Sequence, residues 1–148
     1  MSGSFISPIA IDGPYVSEAS LWIDPTPPAG GLRGDLNLDV PEHLELARED
    51  DKIVLPFRLT TTMVLREGTD DRMRASVEMR GSVSAPSAAV ESDDEALRVL
   101  RLNAVSLFYS ASRSYIEVLT GQSLIGRFNL PAIDPQAFID STAAAESR

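Results

Sequence analysis

The side chains that could support catalysis or bind a metal are few in this 148-residue chain. His43 is its one histidine, and it lies in a charged stretch where an imidazole is usually solvated. Cysteine is absent, which excludes disulfides, thiolate nucleophiles and thiolate metal ligands. The chain also has no phosphate-binding glycine motif. These observations predict a protein that is not an enzyme and that uses no cofactor or metal.

Two pairs of adjacent carboxylates are the remaining candidates for acid–base or metal chemistry. Asp70 and Asp71 close a short glycine-containing stretch between two strand-like segments, which is typical of a hairpin connection. Asp93 and Asp94 follow Ser92 at the start of a helical pattern, where the helix macrodipole favours negative charge. Both pairs therefore have a structural interpretation.

The charge balance bears on possible partners. The net charge is −9, with 22 acidic and 13 basic side chains, which disfavours nucleic acid because its phosphates must be neutralised by Lys and Arg. The first residues lack the basic region and the apolar run of a signal peptide. No stretch approaches the roughly 20 apolar residues that span a bilayer. We therefore expect a soluble, cytoplasmic protein without membrane insertion.

The first 86 residues have the two-residue period of β-strands. Residues 52–66 and 72–83 alternate apolar and polar side chains most clearly, which predicts two half-buried strands joined by a hairpin. Shorter strand signals lie before and after a turn at Asp12-Gly13-Pro14, and again over residues 35–40. Pro56 and Gly81 indicate an edge or a bulge.

The apolar spacing changes to the helical period after Ser92, which forms a capping-box pattern with Glu95. A helix is predicted to about residue 119, before Gly121, and if continuous it is about 40 Å long. It carries one apolar stripe toward the sheet and a second stripe that predicts contact with another subunit. A break near Asn103, giving two packed helices, is the alternative. The second stripe consists of Val99, Leu102, Val105, Tyr109 and Ile116.

The segment after this helix is unusual because it is irregular and yet apolar. An apolar loop either fills the core or lines a groove. Asp134 and Pro135 then have the types expected at the N-cap and first position of a second, short helix. The order of elements predicts a single α+β domain over residues 1–148, with an antiparallel sheet covered on one face by the two helices. We expect residues 1–4 and 141–148 to be flexible.

Several segments, in the expected order, resemble the SecB family of export chaperones. Residues 57–62 (Phe-Arg-Leu-Thr-Thr-Thr) are similar to the third strand of that family. Residues 103–116 resemble the start of its long helix, with a wider spacing between Asn and Leu-Phe. Residues 128–139 are similar to the block that follows, with Pro and Ala exchanged in order, and residues 11–14 resemble the first strand.

The resemblance implies a four-stranded antiparallel sheet, a long helix, a connecting loop and a second helix. It also implies a homotetramer, a dimer of dimers with the long helices in the middle. Its function would be to hold unfolded or precursor polypeptides without ATP, in grooves between sheet and loop. We expect client binding at Trp22, Leu124, Ile125, Phe128 and Leu130. We expect the oligomer interface at Leu102, Val105, Tyr109 and Ile116.

The resemblance leaves more than one kind of partner open. In the export chaperones, acidic residues on the outer sheet face dock the translocase motor SecA. Asp12 matches one acidic position and Glu78 lies on the same predicted face, but Pro8 stands where the family has another acid. That face also carries Arg72, Arg74 and Arg80.

We therefore expect weak or absent SecA docking. A SecB-like chaperone that guards an antitoxin in a toxin–antitoxin system is an alternative. A structural or assembly protein without a client groove is another.

Overall fold

Five strands followed by two α-helices make up the computed structural model, which describes residues 8–146, with side chains through Thr142. A turn of 3₁₀-helix at Ser87–Ala89 joins the two halves. The strands are β1 (Ala10–Ile23), β2 (Arg33–Asp39), β3 (Ala47–Glu49), β4 (Lys52–Glu67) and β5 (Asp70–Pro86), and the helices are α1 (Asp93–Thr120) and α2 (Pro135–Glu146).

All strands belong to one antiparallel sheet in the order β1-β5-β4-β2, and β3 pairs with β4 beyond the end of β2. The prediction of an α+β domain with an antiparallel sheet and two helices is confirmed. The sheet has five strands rather than four, because three residues of the charged connection form β3. This short strand makes a tight hairpin with β4, and Asp50 in the turn has a φ of +53°.

The core lies between α1 and the central strands β4 and β5. The apolar face predicted for each strand is the face that the helix buries. Phe108 of α1 is fully buried and meets Phe57 edge to face, with ring centroids 5.1 Å apart. Such aromatic pairs stabilise the fold beyond the area that they bury. The buried side chains of the two strands are Ile53, Leu55, Phe57, Leu59, Thr61, Met63, Leu65, Met73, Ala75, Val77, Met79, Val83 and Ala85.

β1 is one continuous strand, so the prediction of two short strands around a turn is wrong. The Asp12-Gly13-Pro14 sequence forms an irregularity within the strand, and a second irregularity lies between Val16 and Glu18. Gly13 has a φ of +95°, a conformation that glycine adopts without strain. Opposite it, Gly81 lets the backbone of β1 approach closely. A Cβ at Gly81 would lie 2.4 Å from the carbonyl oxygen of Asp12.

α1 is unbroken over its 28 residues, which confirms the prediction of a long helix about 42 Å in length. Asn103 does not interrupt it, because its side chain donates a hydrogen bond to the carbonyl of Val99. At the N-terminus, Ser92 Oγ accepts from the Glu95 backbone N–H. The Glu95 carboxylate in turn accepts from the backbone N–H of Glu91. These bonds satisfy donors that have no partner inside the helix.

The proline-rich loop between β1 and β2 is held against the β4–β5 hairpin by Glu67. Its carboxylate accepts hydrogen bonds from the backbone N–H groups of Ala29 and Gly30 at 2.7 and 2.9 Å. Arg72 donates to the same carboxylate at 3.0 Å and pairs with Asp24 at 3.3 Å. The bond from Gly30, followed by that from Arg72, lowers the pKa of Glu67. The loop is therefore fixed by charge-assisted hydrogen bonds.

α2 begins at the predicted residue, since Asp134 Oδ1 accepts from the backbone N–H of Gln136 and Ala137. The helix extends to Glu146, so residues 141–146, which were expected to be flexible, are helical. The other residues in that prediction, 1–4 and 147–148, lie outside the described part of the chain. Between residues 8 and 146, neither helix is both long and apolar enough to cross a bilayer.

The close approach at Gly81 leads to a stability prediction. In Gly81→Ala the new methyl group would collide with backbone at Asp12 and also lie 3.2 Å from the Phe108 ring. We expect a loss of about 1–3 kcal/mol in unfolding free energy, measured by urea denaturation. Gly31→Ala is the matched control, because a Cβ there meets no atom of the described residues within 4 Å. Equal stability of the two variants would contradict the packing described for β1 and β5.

Candidate functional site

The connecting segment (residues 121–134) runs back beside α1, between the helix and β2. Phe128 N–H donates to Thr120 Oγ1 at 2.9 Å, and Arg113 Nε donates to the Leu130 carbonyl at 3.2 Å. Tyr109 donates its hydroxyl proton to the carbonyl of Pro131. On the other side, the Phe128 ring lies 3.7 Å from where a Cβ of Gly34 in β2 would be. The segment therefore covers the part of the sheet face nearest β2.

The apolar side chains of this segment divide between core and surface. Leu130 is 2% exposed and belongs to the core, which corrects its prediction as a client-binding residue. The reason is that Tyr109 and Arg113 of α1 donate hydrogen bonds to the carbonyls of Pro131 and Leu130, which holds the Leu130 side chain under the helix. Ile125 and Phe128 are partly buried against the core. Leu124 is 56% exposed. Of the residues predicted to bind a client, those of the segment that remain at least partly accessible are thus Leu124, Ile125 and Phe128, here called the segment surface.

Trp22 does not join this surface. It pairs with Arg74 across β1 and β5, and the neighbouring pair, Ile23 with Met73, lies on the helix side. Because side chains alternate along a strand, Trp22 lies on the outer face of the sheet. It is 48% exposed there. Trp22 and the segment surface are separated by the whole thickness of the sheet, so the predicted five-residue groove is wrong in this respect.

The cleft between α1 and the segment is mostly polar. Two adjoining cavities of about 370 and 200 Å³ share Ser110 and Arg113 on the helix. An ion pair between Arg127 and Glu117, at 2.8 Å, joins segment and helix beside Asn129. A further cavity of about 220 Å³ between α1 and α2 has Leu97 and Ile139 among its lining residues. The 370 Å³ cavity, with its hydrogen-bonding groups, adjoins the segment surface, whereas the cavity with apolar walls lies toward the N-terminal part of α1.

The residues predicted for the oligomer interface are mostly part of the monomer core. Val105, Tyr109 and Ile116 are buried under the segment and against the sheet, so they are unavailable to another chain. Leu102 is partly buried. The second apolar stripe of α1 exists because the connecting segment covers that flank of the helix. The sequence did not show this cover, because an irregular segment has no periodic pattern.

A different apolar surface lies at the β1 edge. Helical residues advance by about 100° each, so Leu107, Tyr115 and Val118 are on the flank opposite Tyr109 and Arg113. That flank lies toward β1, against which α1 packs. Val118 is 75% exposed, and Ile11 and Val16 of β1 are 42% and 38% exposed on the helix side of the sheet. These residues, Ile11, Val16, Leu107, Tyr115 and Val118, are here called the β1-side surface.

The two acidic residues considered for SecA docking both lie on the outer sheet face. Asp12 is exposed opposite Ser82. Glu78 accepts hydrogen bonds from Ser17 Oγ at 2.7 Å and from Arg80 Nε at 2.8 Å. These two bonds, in that order, lower the pKa of Glu78. Its carboxylate is therefore ionised but already has partners within the chain.

No group of three or more His, Asp or Glu side chains within residues 8–146 is arranged to hold a metal ion. The carboxylate pairs have structural neighbours instead. Asp93 forms an ion pair with Arg48 near the start of α1, and Asp71 accepts from Arg66 Nε at 2.8 Å beside the hairpin.

Comparisons with known proteins give a structural relationship without a sequence relationship. No protein-family model matches the chain, and no curated protein matches it. The SecB-like chaperone Rv1957 of Mycobacterium tuberculosis, solved in complex with a ChAD peptide from the antitoxin HigA1, matches with a TM-score of 0.61 and 16% identity. The match covers 84% of this chain and 90% of that one.

A Streptococcus agalactiae protein of unknown function matches with a TM-score of 0.51 and 12% identity, covering 84% of this chain and 97% of that chain. At these identities the likeness concerns the fold. The chain has a SecB-like fold.

The division of the connecting segment can be tested by two leucine truncations. Leu130→Ala removes a core side chain, so we expect it to lower the unfolding free energy by about 2–5 kcal/mol. Leu124→Ala removes an exposed side chain, and we expect a change of less than about 0.5 kcal/mol. Urea denaturation of both variants gives the comparison. A large loss for Leu124→Ala would mean that the segment surface is core.

Proposed function

We propose that this protein is an ATP-independent chaperone that holds unfolded or precursor polypeptides at the segment surface. The observation that carries the proposal is the partly exposed apolar segment beside the α1 clefts, on a SecB-like fold. Loops usually face water with polar side chains, so an irregular segment in which Leu124 is exposed beside the partly buried Ile125 and Phe128 is a candidate for ligand binding. Holding a polypeptide involves no bond breaking, and the protein acts as a binding protein rather than an enzyme.

The binding energy would come from burial of apolar client side chains. About 25 cal/mol is gained for each Å² removed from water, without dependence on direction. This apolar term alone does not select one client, so any preference for a single partner would come from polar contacts. The serine hydroxyls and Arg113 in the adjoining cleft could bind client backbone carbonyls, since an extended chain carries unpaired donors and acceptors. Client binding would then combine an apolar anchor with polar contacts.

The class of client distinguishes two versions of this proposal. A general holdase would serve precursors for export, with SecA as its next partner. The engagement of Glu78 by Ser17 and Arg80 argues against a free acidic docking face. A dedicated chaperone would serve one partner, and the M. tuberculosis protein with the same fold was solved with an antitoxin peptide. We favour a dedicated partner. If the experiment below detects no client binding, the protein has a structural role without a client site.

We also propose that the protein assembles as a homotetramer, a dimer of dimers, through the β1-side surface. β1 is an edge strand of 14 residues with exposed apolar side chains on its helix side. Exposed apolar patches and unpaired strand edges are typical of protein interfaces. This location replaces the one expected from the second stripe of α1, in which Val105, Tyr109 and Ile116 are core.

The client site is tested with the double variant Leu124→Ala with Ile125→Ala. We expect binding of a urea-unfolded, fluorescently labelled client to weaken about 5–30-fold, because a hot-spot side chain contributes about 1–2 kcal/mol. Trp22→Ala is the matched control, since it removes an exposed aromatic side chain on the other sheet face. Thermal melting establishes that both variants are folded. Unchanged client affinity in the double variant, or equal loss in the control, would refute the proposed site.

The assembly is tested by light scattering of the purified protein. A tetramer would have a mass of about 64 kDa, four times that of the 16.0 kDa chain. Val118→Asp should lower this mass, because an unpaired charge in an interface is costly, while the exposed position leaves the monomer stable. Leu124→Asp serves as the control at an exposed leucine outside the β1-side surface. A monomer mass for the unaltered protein at micromolar concentration would contradict the proposal.

A further inference from the structure

The outer face of the sheet contains a pocket of about 410 Å³, on the side away from α1. Arg58 and Arg80 form its floor, because they pair directly across β4 and β5 on this face. The exposed side chain of Tyr15 forms one wall. The other residues that line the pocket are Pro41, Pro56, Phe57 and Gly81. This pocket is separated from the segment surface by the sheet, so it is a second site.

An interruption of the sheet edge creates this pocket. β2 pairs with β4 from Thr60 onward, and β3 pairs with β4 only as far as Val54. Residues 40–46 connect the two short strands, so within the described part of the chain residues 55–59 of β4 have no strand partner on that side. Pro56 lies in this gap, where the lack of a backbone N–H removes no ladder hydrogen bond. The gap leaves room above the sheet next to Arg58.

The two arginines on the floor are unequally neutralised. Arg80 donates from Nε to Glu78 at 2.8 Å. For Arg58, the closest ion pair is with Asp39 at 3.8 Å, which is longer than a hydrogen bond. Its Nε is buried and has no hydrogen-bond partner among residues 8–146. Like charges directly opposite each other in a sheet are also destabilising. Arg58 therefore has unused donor capacity and a repulsive neighbour.

We propose that this pocket binds the carboxylate of an Asp or Glu side chain in a partner polypeptide. The two terminal nitrogens of Arg58 form a fork that can bind a carboxylate through two hydrogen bonds, and they belong to the accessible part of this side chain. A terminal nitrogen of Arg80 can donate to the same group while its Nε stays on Glu78. The added negative charge between the two guanidinium groups would reduce their repulsion.

Charge and shape both favour a peptide carboxylate over a polyanion. Glu78 and Asp39 already balance the formal charge of the two arginines, so the pocket suits a single additional carboxylate far better than a polyanion. The whole chain has a net charge of −9, which repels nucleic acid and other polyanions. Tyr15 and the two prolines give apolar walls that fit the side chains flanking an acidic residue. Tyr and Arg are also the residue types enriched at the centres of protein interfaces.

The probe is an array of short peptides in a Ser/Gly frame, each with one Asp or Glu between Leu, Pro or Tyr residues. A matched array carries Asn or Gln instead. The affinity of the tightest acidic peptide is then measured by fluorescence anisotropy with the full-length protein. We expect the Asn or Gln version to bind about tenfold more weakly, because a charge-assisted hydrogen bond is lost.

Three arginine variants locate the site. Arg58→Gln should weaken the acidic peptide about tenfold and leave its amide version unchanged, since both changes remove the same interaction. Arg58→Lys keeps the charge but not the fork, so its loss should be intermediate. Arg74→Gln is the matched control: it is an exposed arginine on the outer face of β5, paired with Asp71 at 3.5 Å and outside the pocket. It should bind like the unaltered protein.

Thermal melting of each variant shows that a loss of affinity is not a loss of folding. The proposal is overturned if no acidic peptide binds, or if acidic and amide peptides bind equally. It is also overturned if Arg74→Gln weakens binding as much as Arg58→Gln does. Displacement of the peptide by inorganic phosphate, at concentrations where acetate has no effect, would show a phosphate site instead.

Discussion

The width of one helix relative to the sheet that it covers determines most of this structure. Neighbouring strands lie about 4.8 Å apart, so four strands span about 14 Å between the outer strand axes, while a helix with its side chains is about 10 Å wide. α1 therefore buries the central strands β4 and β5, where Phe108 meets Phe57, and leaves the edges of the same face partly uncovered. The connecting segment covers the β2 edge, and the β1 edge retains exposed apolar side chains.

This division explains where accessible apolar and polar surfaces occur. On the β2 side, the segment must be apolar underneath to complete the core, and its hydrogen bonds to Tyr109 and Arg113 hold it in place. Leu130 belongs to that lower layer and Leu124 to the upper one. The pocket on the outer face of the sheet has a different origin. It arises because the gap between β2 and β3 leaves space next to two arginines. The two sites can therefore be altered independently.

The sequence predicted the elements whose side chains repeat regularly. The long alternation of β4 and β5 and the 3.6-residue period of α1 gave the sheet, the core face and the helix correctly. The capping residues Ser92 and Asp134 marked both helix starts. The features that the sequence did not predict have no periodic spacing of apolar residues. β3 is three residues long, and the connecting segment is irregular, so its cover over Val105, Tyr109 and Ile116 was not evident. Leu130 was placed at the surface for the same reason.

β1 is the most instructive failure. Each of its two irregularities changes which residues face the helix: Ile11 and Val16 lie on the same face, although one position is odd and the other even. Alternation counted along the sequence therefore cannot give the face of each residue across this strand, including Trp22, which was expected at the client groove. Only the register with β5 determines the side on which it lies.

The same irregularities affect whether further copies of the chain can add to this edge of the sheet. A flat, regular edge strand can accept identical copies one after another, which leads to filaments. An edge that is kinked at fixed positions fits a neighbouring strand only in a register that matches those kinks. For two copies related by a two-fold axis, one such register suffices, and the pair then has no second edge of the same kind to offer. The irregular path of β1 thus favours a closed assembly over an open polymer.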